Sequence, residues 1–217
     1  MATDKRDLYI VGAGGVGRHI LDNKIDYGLS YGNIFFIDDS KELIGSMIGN
    51  SKVVGDLNFL KHLSLDVDVV LGISDPQLKQ QILTELEGLK NLNFPSLISK
   101  HSWVSSDVNI GIGSIVYPNS SINTGTTIED FVHINMNCSI GHDCTIGKAS
   151  FLAPGVKLGG WTNLGRQCSM GIASTTIQNI GLARESIVGA ACLVNKSYNH
   201  SVRLVGIPCR EIQAEIF

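Results

Sequence analysis

Asn135-Met136-Asn137-Cys138-Ser139-Ile140-Gly141-His142-Asp143-Cys144-Thr145-Ile146-Gly147 repeats an isoleucine-glycine unit six positions apart. Followed in both directions, the apolar register runs Ile110, Val116, Ile122, Ile128, Ile134, Ile140, Ile146, Leu152, Leu158, Leu164, Met170, Leu182, Val188 and Val194, with Thr176 as its one exception. Glycine follows the apolar residue at Gly111, Gly141, Gly147, Gly159, Gly165, Gly171 and Gly189. A period of six fits neither the 3.6 of an amphipathic helix nor the modules of about 20 to 50 residues that build helical solenoids. It predicts a parallel β-helix of hexapeptide repeats.

If each hexad makes one short strand and a corner, one side chain per hexad points to a shared axis and stacks on its equivalents. Small residues recur two places earlier, at Ser114, Ser120, Thr126, Cys138, Cys144, Ser150, Thr162, Cys168, Ser174, Ser186 and Cys192, which predicts a second, narrower inward position. The glycines suit corners where the backbone needs positive φ or close approach. Cysteines in the narrow phase read as small buried core residues. The absence of a C-x-x-C pair argues against a zinc or redox motif, and Cys209, in the tail, has no assigned role.

The first hundred residues follow other rules. Leu8 to Val11 reads as a strand, followed by Gly12-Ala13-Gly14-Gly15-Val16-Gly17 and a helical stretch from Arg18 to Lys24. Ile34 to Ile37 makes a second strand ending on Asp38 and Asp39. Val67 to Leu71 makes another and runs into Gly72-Ile73-Ser74-Asp75-Pro76, after which Gln77 to Leu89 has helical spacing. Strands alternating with helices imply a parallel sheet with crossovers. The expected organisation is α/β plus all-β: a Rossmann-like domain over residues 1–98 and a β-helix with a C-terminal tail over 99–217, bridged by the segment from Asn93 to Ser106.

Gly12, Gly14 and Gly17 match G-x-G-x-x-G between a strand and a helix, with acidic residues about 20 positions on. Glycine N–H groups at a helix N-terminus hold phosphate, and carboxylates at the next strand end accept from ribose or base. A structural turn, a nicotinamide dinucleotide and another nucleotide or sugar nucleotide all fit this pattern. A region of roughly one hundred residues leaves no separate catalytic domain for hydride transfer, which favours the last. Gly14, Gly15, Asp38, Asp39 and Ser74 are the expected contacts.

The 217 residues allow one or two domains, and a 43% hydrophobic content suffices for packed cores. A formal net charge of −3 offers no basic footprint for nucleic acid. The stretch from Met1 to Asp7 is polar, and no apolar run reaches membrane-spanning length. A cytoplasmic protein without membrane insertion is the expectation.

A G-A-G-G-x-G turn with an I-D-D strand end, followed by hexapeptides, resembles the sialic acid O-acetyltransferase and sugar-nucleotide N-acetyltransferase family. The resemblance covers nearly the whole chain and is most specific at Asn135 to Gly147 and at Val205-Gly206-Ile207-Pro208. It implies transfer of acetyl from acetyl-CoA to a sugar amine or hydroxyl, a left-handed β-helix, a homotrimer and no metal. It also implies acceptor contact by Asn135 and backbone contact with the CoA arm at Gly160, Ile172 and Ala190. Two positions depart from the family: Phe151 stands where a second histidine is common, and Val16 where the glycine turn often carries one.

The residues of the quoted stretch agree with that chemistry. Acyl transfer to a neutral nucleophile needs a base, and histidine is tuned for this near neutral pH. His142 sits two places after the inward Ile140, near a corner, and Asp143 could orient its ring. Gly160 is one eighteen-residue coil above, about one strand spacing away, where its N–H could serve as an oxyanion donor. Trp161 is exposed by its phase, beside the CoA channel or simply packed on the surface. His101, His133 and His200 read as structural or surface residues. N-acetylation of a nucleotide-linked amino sugar, such as a 4-amino-4,6-dideoxy sugar, is the leading expectation, with O-acetylation of sialic or related acids next. An NAD-dependent enzyme and a non-catalytic trimeric scaffold are the rivals from other classes.

Overall fold

The computed structural model describes residues 6–213; the polar residues 1–5 and the last four lie outside them. The chain forms two compact units that divide between Pro95 and Ser96. The first contains β1 (Leu8–Val11), α1 (Gly15–Asp22), β2 (Ile34–Ile37), β3 (Met47–Ile48), β4 (Ser51–Gly55), α2 (Leu57–Lys61), β5 (Val67–Leu71), α3 (Pro76–Glu85) and β6 (Leu92–Asn93). Its six-stranded sheet runs β3-β4-β2-β1-β5-β6. All neighbours are parallel except β3, which pairs antiparallel with β4.

β1 and β5 are buried along their whole length, as the continuous apolar runs of central parallel strands require. The chain leaves β1 toward β2 and leaves β5 toward β6, so the topological switch point opens between the ends of β1 and β5. α1 starts at Gly15, earlier than the expected Arg18, because the glycine turn itself provides the N-cap, Gly14. α3 starts at Pro76 because the Asp75 carboxylate accepts from Gln77 N–H and Leu78 N–H, each at 2.8 Å. It ends at Glu85, short of the expected Leu89. β4 escaped the sequence reading because two of its three inward residues, Ser51 and Gly55, are not apolar.

The second unit is a left-handed parallel β-helix of hexapeptide repeats. Two-residue strands stack at eighteen-residue intervals into three faces. The first face holds Ile115–Val116, His133–Ile134, Phe151–Leu152, Ser169–Met170 and Ile187–Val188. The second holds Ser121–Ile122, Ser139–Ile140, Lys157–Leu158, Thr175–Thr176 and Leu193–Val194. The third holds Thr127–Ile128, Thr145–Ile146, Asn163–Leu164 and Gly181–Leu182. Arg210–Glu211 turns back antiparallel on Arg203–Val205.

Both inward positions are occupied as the hexad predicts. The aliphatics from Val116 to Val194 are buried, and so are all the small residues two places before them. Val132, Val156 and Ile180 fill the narrow position where Ser, Thr or Cys is missing. Each fully buried Leu or Ile contributes about 1.5–3 kcal/mol over its exposed state.

One expectation needs correction, and one pair of alternatives is decided. The register starts earlier than Ile110: Leu97–Ile98 and Trp103–Val104 already pair with Ile115–Val116 and Ser121–Ile122. The supposed bridge is therefore mostly first coil, and the division falls at Pro95/Ser96 instead of 98/99. The glycines after the aliphatics do not supply positive φ. That conformation falls two residues later and is carried mainly by other residues, including Asp143 (φ 56), Trp161 (φ 57) and Gln167 (φ 59). Close approach is what requires the glycines, since a Cβ at Gly147 would stand 2.5 Å from the Gly165 carbonyl carbon of the next coil.

Candidate active site

His142 lies at the corner between the second and third faces. The corner residues stack coil on coil: Asp143 N–H donates to Thr124 O at 2.9 Å, Trp161 N–H to His142 O at 3.0 Å and Asn179 N–H to Gly160 O at 2.9 Å. Thr124, His142, Gly160 and Gln178 thus form one vertical column. The left-handed conformation of Asp143 brings its carboxylate beside the ring that precedes it, with Oδ2 at 2.8 Å from His142 Nδ1. An ionised carboxylate only accepts, so Nδ1 carries the proton of the neutral ring and Nε2 keeps its lone pair.

Nε2 faces Gly160, where a Cβ would stand 2.7 Å away. The Trp161 ring meets the imidazole edge-on, with centroids 4.3 Å apart at 86°. Glycine above and tryptophan beside therefore hold the ring at the corner while both His142 and Trp161 remain partly exposed. Gly160 is buried, and its N–H makes no hydrogen bond among the described residues. A donor next to a base with a free lone pair can polarise a carbonyl while the base removes a proton. The phase of Trp161 exposes it beside the CoA channel or on the surface, and its edge contact with His142 arises only in the fold.

The other residues matched by resemblance stand elsewhere. Ile172 and Ala190 share a column with Met136 and Pro154, joined by Gly155 N–H to Met136 O, Ala173 N–H to Pro154 O and Ala191 N–H to Ile172 O at 2.7–2.9 Å. This is the corner between the first and second faces, so a whole face separates them from His142. Asn135 begins that same corner, and its side-chain Oδ1 accepts from Met136 N–H at 2.8 Å. Phe151 lies on the first face against the buried His133 ring, 5.2 Å away between centroids.

In the first unit, the ends of β1, β2 and β5 surround a cavity of about 160 Å³ lined by residues that include Gly12, Asp38, Asp39, Ile73 and Leu78. Gly14 and Gly15 are exposed at the start of α1, which has no side-chain cap; its first N–H groups therefore have no intrahelical acceptor. Asp38 is already engaged: Oδ2 accepts from Ala13 N–H at 2.8 Å and Oδ1 from Ser40 N–H at 3.0 Å. Asp39 accepts from Leu57 N–H through Oδ1 at 3.1 Å, while its Oδ2 makes no hydrogen bond among the described residues. Ser74 lies in the turn after β5, half-buried.

The cysteines are free and buried. Burial pushes the thiols of Cys138, Cys168 and Cys192 up to about 11, so none is a ready nucleophile. Cys209 packs against Tyr198, whose hydroxyl lies 3.6 Å from its Sγ. His200 is exposed beside Asn199 and Glu211. Among the described residues no His, Cys, Asp or Glu cluster could hold a metal, and no helix is long and apolar enough to cross a membrane.

Comparison with known proteins addresses both units. Residues 7–86 match the PglD N-terminal domain family and residues 125–160 the bacterial transferase hexapeptide (six repeats) family. The chain is similar to the GDP-perosamine N-acetyltransferase of Escherichia coli O157:H7, with 30% identity over 192 residues, 85% of this chain and 84% of the relative. Among solved structures it is similar to the acetyltransferase domain of PglB from Neisseria gonorrhoeae FA1090 in complex with acetyl coenzyme A. That likeness has a TM-score of 0.88 at 25% identity, over 96% of this chain and 100% of the other. WeeI from Acinetobacter baumannii AYE matches with a TM-score of 0.86 at 25% identity, over 95% and 100%.

Proposed function

The chain belongs to the nucleotide-sugar N-acetyltransferase family, and from that premise we propose that it moves acetyl from acetyl-CoA to the amine of a nucleotide-linked amino sugar, such as a 4-amino-4,6-dideoxy sugar, with His142 as general base. The observation that carries the assignment is the 2.8 Å contact from Asp143 to Nδ1, which leaves Nε2 as proton acceptor beside the uncommitted Gly160 N–H.

In this reading the amine nitrogen attacks the thioester carbonyl and its proton passes to Nε2. The carbonyl oxygen becomes an oxyanion that Gly160 N–H stabilises. When the carbon–sulfur bond breaks, the imidazolium returns the proton to the departing CoA thiolate. Transfer is direct, within a ternary complex: among the described residues the cysteine thiols are buried, which leaves them poorly placed to carry the acetyl group.

The acceptor's phosphates are assigned to the N–H groups at Gly14 and Gly15, and its ribose or base to Asp39 and Ser74. Asp38 supports this site by holding the glycine turn through Ala13. Asn135, Ile172 and Ala190 lie a face away from His142 within one solenoid, which supports a homotrimer in which the first corner of one copy meets the second corner of the next and CoA lies between them. A cytoplasmic location belongs to the same reading.

A thermal-shift panel of UDP-, GDP-, dTDP- and CMP-linked amino sugars tests it, since a ligand that binds only the native state raises the melting temperature. The GDP-perosamine relative makes the GDP sugar the first expectation. If no nucleotide sugar shifts the transition or is acetylated, the proposal fails.

A further inference from the structure

The aliphatic column breaks once, at Thr176, and the break lies against the peptide that carries the Gly160 N–H. Thr176 is buried. Its Oγ1 accepts from Gly159 N–H at 3.0 Å and lies 2.9 Å from Thr162 Oγ1, while Thr162 Oγ1 donates to Gly159 O at 2.6 Å. A hydroxyl has one proton to give. Thr162 gives its proton to Gly159 O, so the one between the two hydroxyls comes from Thr176. The bonds close a ring: Gly159 N–H to Thr176, Thr176 to Thr162, Thr162 to Gly159 C=O. In a buried site such bonds reinforce one another.

The ring alters the coil-to-coil ladder. Gly111, Gly141, Gly147, Gly165 and Gly171 each donate to the carbonyl of the next coil at 2.7–2.9 Å, whereas Gly159 N–H reaches Thr176 O only at 3.3 Å. Strand pairing there is also reduced to Lys157↔Thr175, where the coil before pairs both Ser139↔Lys157 and Ile140↔Leu158. The Thr176 hydroxyl draws the Gly159 N–H off its backbone acceptor.

Gly159 C=O and Gly160 N–H belong to one planar trans peptide and point in opposite directions. Pulling the carbonyl inward, through Thr162 and through Cys144 Sγ at 3.4 Å, aims the N–H outward. Neither flanking residue has a Cβ to restrict that peptide.

We propose that Thr176 is a positioning residue which, through Thr162 and Gly159, aims the Gly160 N–H at the reacting carbonyl oxygen. The inference rests on the reading of His142 and Gly160 as the acyl-transfer site. A valine at position 176 would complete the apolar column and let Gly159 N–H relax onto the Thr176 carbonyl, so stability alone does not call for the hydroxyl.

Thr176→Val, Thr176→Ser and His142→Ala are compared with the unaltered protein by thermal unfolding and steady-state kinetics. Thr176→Val is expected to melt at or above the parent temperature, keep both KM values within about twofold and lose about ten- to a hundredfold in kcat, as a misaimed oxyanion donor does. Thr176→Ser, which keeps the hydroxyl, is expected to retain kcat. If Thr176→Val keeps full kcat while His142→Ala loses it, positioning is overturned and the site assignment stands. If His142→Ala also keeps full kcat, the site assignment falls and the inference with it. Should Thr176→Val fail to fold, Thr162→Ser and Thr162→Ala make the same comparison: a kcat loss confined to alanine supports the ring, and equal kcat values overturn it.

Discussion

Gly160 lacks a side chain because His142 occupies the space: a Cβ there would stand 2.7 Å from Nε2. Its backbone is not in the left-handed region, so packing against the imidazole is what excludes a side chain. Gly160→Ala is expected to push the ring toward solvent and lower kcat by about ten- to a hundredfold, with little change in melting temperature because the ring is free to swing outward. In Gly141→Ala the new Cβ instead meets backbone, 2.6 Å from Gly160 N. That change is expected to cost about 1–3 kcal/mol of stability as well, read by denaturant unfolding.

His142→Ala is expected to lower kcat by about 10²- to 10⁴-fold, the usual contribution of a general base, while acetyl-CoA affinity measured by calorimetry stays close to the parent value. Asp143→Asn should show a smaller loss of the same kind, because the amide can still contact Nδ1 but no longer supplies charge. A His142 variant with more than about a tenth of the parent kcat would contradict this assignment.

Asp38 and Asp39 are expected to behave differently when replaced singly by alanine. Asp38→Ala removes the acceptor of Ala13 N–H and Ser40 N–H and should cost about 1–3 kcal/mol of stability. Asp39→Ala keeps the turn intact and should raise KM for the sugar nucleotide with acetyl-CoA KM unchanged. Kinetics with each substrate varied in turn separates the two; a selective rise in acetyl-CoA KM would reverse the assignment of substrates to domains.

Burial pushes the Cys138 and Cys168 thiols up to about 11, so at pH 7.5 fewer than about one in a thousand is a thiolate. Iodoacetamide at that pH is expected to leave them unmodified by mass spectrometry until the protein unfolds. An unfolded thiol ionises near pH 8.5, so the protons held in the fold support it fully below about pH 8.5 and that support is lost as pH rises to about 11. Melting temperature should fall across this window, and less steeply in Cys138→Ala/Cys168→Ala.

Light scattering is expected to give three times the chain mass, with activity falling on dilution below the assembly range. A stable, fully active monomer would overturn the proposed site shared between copies.

The hexad register was legible because its physics is local. One inward aliphatic per six residues repeats whatever surrounds it, and the Leu8–Val11, Ile34–Ile37 and Val67–Leu71 strands announced themselves by apolar runs. The His142-Asp143 pair was legible too, since the two residues are neighbours in the chain and their corner phase follows from Ile140. β4 was not, because Ser51 and Gly55 take inward places without apolar side chains.

What the amino-acid sequence could not decide is what depends on residues eighteen apart coming into contact. The contacts of Gly160 and Trp161 with His142 and the ring joining Thr176, Thr162 and Gly159 exist only once the coils have stacked. The occupation of Asp38 by Ala13 N–H likewise depends on β1 and β2 lying side by side. The period alone sets which side chains face inward. Which hydroxyl meets which peptide, and which carboxylate keeps an oxygen for a ligand, is decided by the stacking, because hydrogen bonds are directional and extend only about 3 Å.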